Sequence, residues 1–145
     1  MSSINPTSDQ LNAFMKAEDD GPISMLNMLR FRRNAQYDDD HPNASKSLSG
    51  LEAYGLYGME VQKHLERVGG KLVYAFNPKV TVIGPDDEKW HAIFIVQYPN
   101  AAAFIAMVSD PGYQEISKHR TAALADSRLI RMTETTPGET LGSAG

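Results

Sequence analysis

Two histidines of the chain could carry protons in a reaction. His64 lies three residues after Val61, and His119 lies three residues after Ile116. This spacing predicts that each imidazole lies at the border of the buried stripe of a helix. Because imidazole titrates near neutral pH, His64 and His119 are the candidate acid–base residues, although a histidine in such a position is more often structural or solvated.

Two other polar side chains interrupt apolar faces. Asn27 lies on an otherwise apolar strand face, and Arg120 lies on the same helical stripe as Tyr113. A buried amide normally pairs with a backbone group, and a buried guanidinium needs an anionic partner. The expected partner of Arg120 is Asp126 or Glu52. If neither carboxylate meets it, a substrate carboxylate is the alternative, since arginine binds planar anions through two hydrogen bonds.

Aromatic residues could complete a pocket between a helix and a sheet. Tyr54 and Tyr57 share one helical face, and Trp90 and Tyr98 share one predicted strand face. Ordinary core packing is the alternative and is favoured. If a pocket exists, the predicted substrate-binding residues are Asn27, Arg120, Tyr54, Tyr57 and Trp90.

The sequence predicts neither a metal nor a cofactor. The run Asp38 to His41 lacks the alternating ligand spacing of calcium loops, and consecutive charges on a loop are usually solvated. With no cysteine in 145 residues, disulfides, thiolate catalysis and thiolate-held metal sites are excluded. We therefore expect the protein to fold without haem or metal.

Composition favours a soluble domain with its own core. The chain is 41% hydrophobic and 22% charged, with a net charge of -4 that argues against nucleic acid as a partner, although Arg30, Arg32 and Arg33 together could hold an anion. The N-terminus lacks a signal-peptide pattern, and the apolar run at residues 101–108 is far shorter than the roughly 17 residues that span a bilayer. We expect a cytoplasmic protein that does not enter a membrane.

Hydrophobic periodicity and turn residues predict the elements. A helix over residues 8–19 precedes a strand over 23–32, a polar excursion over 34–50, and a helix that a capping box at Ser49 opens. Strand halves at 71–76 and 79–83 follow, then a strand beginning at Trp90, helices capped by Asn100 and Asp110, and a strand over 127–135.

This order is the split βαβ pattern of an α+β ferredoxin-like fold with an antiparallel sheet. Residues 1–135 are predicted to form one such domain, with the first helix as an appendage and residues 136–145 as a disordered tail. The first and third strands are apolar on both faces, as central strands should be. Helices cover only one face of such a sheet, so the other face would expose a large apolar patch, and a second subunit is the expected cover.

Several motifs in order resemble a known family. They are PISMLNMLRFR at 22–32, SGLEAYGLYG at 49–58, VIGP at 82–85, YPNAAAFIAMVSDPGY at 98–113 and RTAALADSRL at 120–129. Together they resemble the family called domain of unknown function thirteen-thirty, over roughly residues 20–131. The resemblance implies a dimeric α/β barrel, in which two ferredoxin-like sheets pair with helices outside.

The superfamily so implied contains enzymes and ligand binders. Its haem-degrading members use an asparagine, a tryptophan and a histidine, for which Asn27, Trp90 and His119 are the counterparts here. The match is poor, because Trp90 and His119 lie 29 residues apart across a helix start.

Two hypotheses about function remain. The first is a cofactor-independent monooxygenase or isomerase acting on an acidic or aromatic metabolite. The second is a noncatalytic homodimer that binds a metabolite or a protein partner. No adjacent pair of nucleophile and base in the sequence decides between them.

Overall fold

The computed structural model describes residues 2–17 and 21–139 of the chain. These residues form four α-helices, one 3₁₀ turn at Pro42–Ser45 and four β-strands. In chain order the elements are α1 (Ser8–Lys16), β1 (Ile23–Phe31), α2 (Gly50–Val68), β2 (Lys71–Phe76), β3 (Ala92–Tyr98), α3 (Ala101–Ser109), α4 (Pro111–Ala123) and β4 (Leu124–Met132).

The four strands form one antiparallel sheet in the order β2-β3-β1-β4. The two strands that are apolar on both faces, β1 and β3, are therefore the central pair, as predicted. In the register of the sheet, Asn27 lies opposite Phe94 on β3 and opposite Leu129 on β4. Alternation along β1 places Asn27 on the same face as the buried Met25 and Leu29.

The predicted helix caps are confirmed. The Ser49 hydroxyl accepts a hydrogen bond from the Glu52 amide while the Glu52 carboxylate accepts one from the Ser49 amide. Asn100 caps α3, and Asp110 caps α4 with Pro111 at its first position. Because these caps depend on residues three positions apart, the local sequence suffices to place the helix starts.

The core lies between one face of the sheet and the helices. Ile23, Met25 and Val96 from the sheet pack with Val61 and Leu65 of α2. The opposite face of the sheet, which we call the open face, carries apolar side chains that none of the described helices α1 to α4 covers. Its members by register are Leu26, Met28, Ile93, Ile95, Tyr74, Phe76 and Ile130.

Three elements meet at Gly50, the first residue of α2. The Gly50 amide donates to the Arg32 carbonyl at 3.1 Å, and the Arg32 amide donates to the Ala123 carbonyl at 2.8 Å. A Cβ at position 50 would collide with the Arg32 carbonyl oxygen and lie 2.7 Å from the Ala123 oxygen. Only glycine therefore lets the start of α2 approach the ends of β1 and α4 so closely.

Several predicted boundaries are wrong. Residues 79–83 form no strand, although their composition favours one, because a strand needs a hydrogen-bonded neighbour and these residues lie beyond the sheet. The last strand is Leu124–Met132 rather than 127–135, since α4 passes into it without a loop. The helix α1 ends at Lys16; residues 18 and 19 of the prediction, like residues 140–145 of the predicted disordered tail, lie outside the described residues.

Candidate functional site

Three tyrosines lie together between α2 and α4, and we call them the tyrosine cluster: Tyr54, Tyr57 and Tyr113. Tyr54 and Tyr57 are one helical turn apart on α2, and the Asp110 cap places Tyr113 in the first turn of α4. The hydroxyl oxygens of Tyr57 and Tyr113 lie 2.8 Å apart in a hydrogen bond. The ring centroids of Tyr54 and Tyr57 are 5.3 Å apart, so the three phenols form one continuous aromatic group.

Burial keeps the phenols of Tyr54 and Tyr57 protonated. It raises the pKa of Tyr54 to about 12, and it raises the pKa of Tyr57 well above its ordinary value, with a further contribution from the neighbouring Tyr113. The positive charge of Arg120 acts against burial and lowers the pKa of both phenols. At neutral pH Tyr54 and Tyr57 therefore offer phenolic O–H groups as hydrogen-bond donors next to a cation.

Arg120 lies in the last turn of α4 and is half-buried. Its Nη1 donates to the Ile4 carbonyl at 2.8 Å. The predicted carboxylate partners are wrong, because Asp126 accepts from Arg128 at 2.8 Å and Glu52 closes the capping box of α2. Among the described residues, no carboxylate lies within ion-pair distance of the Arg120 guanidinium.

Asn27 lies on the helix side of the sheet and stays partly exposed between two buried neighbours. Its Nδ2 donates to the Met25 carbonyl at 3.1 Å. A buried amide normally pairs with a backbone group, and the Asn27 side chain has such a partner. Asn27 and Arg120 thus each bond a main-chain carbonyl, and no contact described in the structure joins the two side chains.

His64 borders the tyrosine cluster. Its side chain is buried, rather than at the border of the helix's buried stripe, and its ring packs edge-on against Tyr113 with centroids 6.1 Å apart. The Nδ1 atom lies 3.7 Å from Asp110 Oδ2 and makes no hydrogen bond. The pKa of Asp110 is lowered mainly by the hydrogen bond from the Tyr113 amide, with help from Arg67. His64 therefore lies between a carboxylate and the phenols.

His119 lies in a different place, which we call the loop cluster: Tyr37, His41 and His119. The Tyr37 hydroxyl and His119 Nδ1 share a hydrogen bond at 2.6 Å, and the Tyr37 and His41 rings stack at 4.5 Å. Burial lowers the pKa of His119, and the nearby His41 lowers it further. The structure therefore separates the two predicted catalytic histidines.

Residue spacing did not predict the loop cluster. Tyr37 and His41 belong to the polar excursion, which the Gln36 amide ties to the Ala122 carbonyl at 2.9 Å. Contacts over such sequence distances follow from the fold and not from residue spacing. A cavity of about 300 Å³ lies beside this cluster, between the excursion and α4, and Lys118 and Glu115 contribute to its wall.

Trp90 is not in the tyrosine cluster. Its ring lies 5.1 Å from the Arg128 guanidinium, which also pairs with Glu88 and Asp126. Arg128 lies opposite Met28 in the register, so this group is on the open-face side of the sheet, away from α2. The sequence predicted that Trp90 and Tyr98 share one strand face. This prediction is wrong because β3 begins only at Ala92, so the alternation of side chains along the strand does not extend back to Trp90.

Two further features concern ions and membranes. In residues 2–17 and 21–139 no group of three or more histidine, aspartate or glutamate side chains is arranged to hold a metal ion. Two of the three arginines predicted to hold an anion lie together, since Arg32 and Arg33 line a groove of about 680 Å³ with His91.

No helix within the described ranges has the length and apolar character needed to cross a membrane.

The fold defines the class of the protein. It is an α+β protein of the ferredoxin-like type, and solved structures of that type match it. One is a dimeric protein of unknown function from Bacteroides fragilis, 10% identical, covering 81% of this chain and 100% of that chain with a TM-score of 0.50. Another, 18% identical, is described as a candidate antibiotic biosynthesis monooxygenase from Bacteroides thetaiotaomicron and covers 81% of this chain and 93% of that chain with a TM-score of 0.51. Both show likeness of fold alone.

The family follows from two closer similarities. The family model called domain of unknown function (DUF1330) matches residues 44–133. The RPA0582 protein of Rhodopseudomonas palustris, of unknown function, is 41% identical, covering 94% of this chain and all of that chain with a TM-score of 0.86. The chain therefore belongs to the DUF1330 family, as its motifs predicted. No curated protein matches it.

Proposed function

We propose that the protein binds a small aromatic acid at the tyrosine cluster and acts on it as a cofactor-independent isomerase or monooxygenase. The observation that carries this proposal is the half-buried Arg120 guanidinium, which has a single main-chain partner and no carboxylate among the described residues. A poorly solvated cation without a counter-ion favours an anionic ligand. Next to protonated phenols, that ligand is best an aromatic carboxylate.

Each group has a role in this proposal. Arg120 binds the carboxylate, the Tyr54 and Tyr57 rings contact the aromatic part, and a phenolic O–H donates to an oxygen on which negative charge develops. His64 accepts the substrate proton, with the Asp110 carboxylate stabilising the imidazolium that forms. In an isomerisation, the same imidazolium then returns the proton to another atom of the substrate.

His64 suits this role better than His119. The His64 ring contacts Tyr113 directly, whereas the His119 Nδ1 is already engaged with the Tyr37 hydroxyl. Asn27 lies on the helix side of the sheet and can orient the ligand after exchanging its bond to the Met25 carbonyl. Trp90 has no part, since it contacts Arg128.

Calorimetry against a panel of small aromatic carboxylates tests the binding step. Wild-type protein should bind at least one member of the panel, and Arg120→Leu should weaken that binding by about 10-fold to 150-fold, the worth of a hydrogen bond to a charged group. Lys63→Leu is the matched control, because Lys63 is an exposed cation on α2 that pairs with Glu60 at 3.6 Å. Equal binding by Arg120→Leu and wild type would refute the site.

The second candidate is a noncatalytic ligand-binding protein. Two observations favour it: Asn27 and Arg120 are each bonded to a main-chain carbonyl, and His64 is not hydrogen-bonded to any phenol. Incubation of a bound carboxylate with the protein in air, followed by mass spectrometry, separates the two functions. A product that has gained one oxygen and lost two hydrogens, with the second oxygen atom of O2 released as water, or an isomer that separates chromatographically supports the enzyme, provided that His64→Gln abolishes it. An unchanged ligand supports the binding protein.

The open face supports a homodimer as the functional unit. Tyr74 and Phe76 stack on β2 with exposed fractions of 60% and 55%, and Ile130 on β4 is 47% exposed. Apolar side chains on a whole sheet face are a larger patch than monomers usually expose. Sedimentation equilibrium at micromolar concentration should give twice the mass of the chain, and a monomer would refute this part of the proposal.

A further inference from the structure

A groove of about 680 Å³ lies where β1 ends and where α2 and β3 begin. Arg32 and Arg33 directly follow β1, Ser49 caps α2, and His91 immediately precedes β3. The three residues of the tyrosine cluster do not line this groove. Because small-molecule pockets are concave spaces of this order of size, the groove is a candidate site separate from the tyrosine cluster.

The groove is positively charged. The Arg32 and Arg33 side chains line it, and no aspartate or glutamate of the described residues does. Within residues 2–17 and 21–139, neither guanidinium makes an ion pair. The cavity beside the loop cluster is different, because carboxylates and Lys118 line it together. The two uncompensated cations therefore favour an anion as the ligand of the groove.

The Arg32 side chain carries a buried donor without an acceptor. Its Nε is buried and makes no hydrogen bond to the described part of the chain. Leaving a buried N–H of a charged group unpaired destabilises the folded protein. The main chain of Arg32 is held by its bonds to Gly50 and Ala123, at 3.1 and 2.8 Å, so the residue is fixed at the end of β1. An anion in the groove supplies the acceptor that Nε lacks.

His91 adds a further donor to the groove. Its Nδ1 accepts a hydrogen bond from the Phe31 amide at 3.0 Å, so the neutral ring carries its proton on Nε2. The His91 amide donates to the Leu29 carbonyl at 2.7 Å, which fixes the residue beside β1. No hydrogen bond to the described residues occupies Nε2. His91 can therefore donate to the same anion as the two arginines.

One wall of the groove is apolar. Leu51, in the first turn of α2, is 64% exposed, and Phe31 is the last residue of β1. The centroid of the Phe31 ring lies 5.8 Å from that of His91 and 5.4 Å from that of Tyr54. The Phe31 ring therefore contacts the groove and the tyrosine cluster at once. A ligand in the groove meets an apolar surface next to its anionic group.

We propose that the groove binds a small phosphorylated metabolite, at a site additional to the one proposed at the tyrosine cluster. The phosphate accepts hydrogen bonds from Arg32, Arg33 and His91. The apolar part of the metabolite lies on Leu51 and Phe31. A phosphate monoester carries roughly 1.5 to 2 negative charges at pH 7 and three acceptor oxygens, so it matches two guanidinium groups. A carboxylate carries one charge and leaves one of the two cations uncompensated.

Isothermal titration calorimetry with phenyl phosphate as the probe tests the site. Wild-type protein should bind the probe, and Arg32→Gln and Arg33→Gln should each weaken binding by about 10-fold or more, since each removes a charged donor. Arg33 is exposed, and the main-chain bonds of Arg32 do not need its side chain, so both variants should keep the circular dichroism of the folded chain. Lys63→Gln is the matched control and should leave binding unchanged, because Lys63 is an exposed cation on α2 that pairs with Glu60 and does not line the groove.

Leu51→Ser tests the apolar part of the proposed ligand. This variant should weaken the binding of phenyl phosphate by about 3-fold to 10-fold through loss of an apolar contact, while inorganic phosphate should keep its affinity. Equal losses for the two probes would show that Leu51 acts on the arginines rather than on the ligand. That result, or unchanged binding of phenyl phosphate, would refute the placement of the apolar part.

The outcomes separate the groove from the site proposed at Arg120. Arg120→Leu should keep the wild-type affinity for phenyl phosphate and should bind benzoate more weakly than phenyl phosphate. Loss of phosphate binding in Arg120→Leu, with binding intact in Arg33→Gln, would place the anion in the tyrosine cluster and overturn the groove.

Two other results would also overturn the phosphate site. They are the absence of phosphate binding by wild type, and binding of benzoate to Arg120→Leu that is as tight as that of phenyl phosphate. Failure of aromatic carboxylates to bind wild type would refute only the function proposed for the tyrosine cluster.

Discussion

The hydrogen bond between the Tyr57 and Tyr113 hydroxyls gives a prediction in which the two single substitutions have unequal effects. The Tyr57 residue is 8% exposed, whereas Tyr113 is only partly buried. In Tyr57→Phe, the Tyr113 hydroxyl loses its partner at 2.8 Å but can reach water. The free energy of unfolding should therefore fall by about 0.5 to 1.5 kcal/mol. In Tyr113→Phe, the Tyr57 hydroxyl stays buried without a partner, which costs about 1 to 3 kcal/mol.

The double variant completes the test. With both hydroxyls removed, no buried donor is left unsatisfied, so its loss should be smaller than the sum of the two single losses by about 1 kcal/mol or more. Urea denaturation measures the three values, at one protein concentration because unfolding of a dimer depends on concentration. Met59→Leu, at a residue 78% exposed on α2, should stay within about 0.5 kcal/mol of wild type. Additive losses would refute the coupling between the two hydroxyls.

Three other predictions concern stability. Gly50→Ala should destabilise the fold by more than about 3 kcal/mol, because the added Cβ meets main-chain atoms of Arg32 and Ala123 that cannot rotate away; a near-native midpoint in urea would contradict this. Ser49→Ala should cost about 0.5 to 2 kcal/mol through loss of the cap of α2, while an unchanged midpoint would show that the cap is dispensable. The pKa of His119 is lower in the folded chain than in the unfolded chain. As the pH falls below about 6.5, His119 is therefore protonated in the unfolded chain before it is protonated in the folded chain. Wild type should therefore lose stability between about pH 7 and pH 5, and His119→Gln should lose less of it over the same range, as thermal denaturation at both pH values would show.

The elements that the sequence predicted correctly depend on neighbours in the chain. The caps at Ser49, Asn100 and Asp110 are each decided within three or four residues, and the central position of β1 and β3 follows from their apolar residues on both faces. Residues 79–83 show the limit of this reasoning. Their composition predicts a strand, but whether a strand forms depends on a neighbour that the local sequence does not specify.

The candidate site could be predicted less well, for a related reason. The helical spacing of Tyr54 and Tyr57 was sufficient to place both on one face, but the partner of Arg120 is the carbonyl of Ile4, a main-chain atom that carries no sequence signal. The side of the sheet on which Trp90 lies depends on where β3 begins. The Tyr37 contact of His119 arises from the path of the polar excursion.

The junction at Gly50 also has a consequence for how the chain folds. The bond from Gly50 to Arg32 closes a short segment, but the bond from Arg32 to Ala123 brings together residues from opposite halves of the chain. Closing the longer segment costs more conformational entropy, and this entropy is lost before the stabilising contacts between the two ends form. The first turn of α2 can form early by itself, since its capping box is local, but the three-way junction is complete only when α4 has reached the end of β1. The junction therefore couples the start of α2 to a long-range closure of the ferredoxin-like topology.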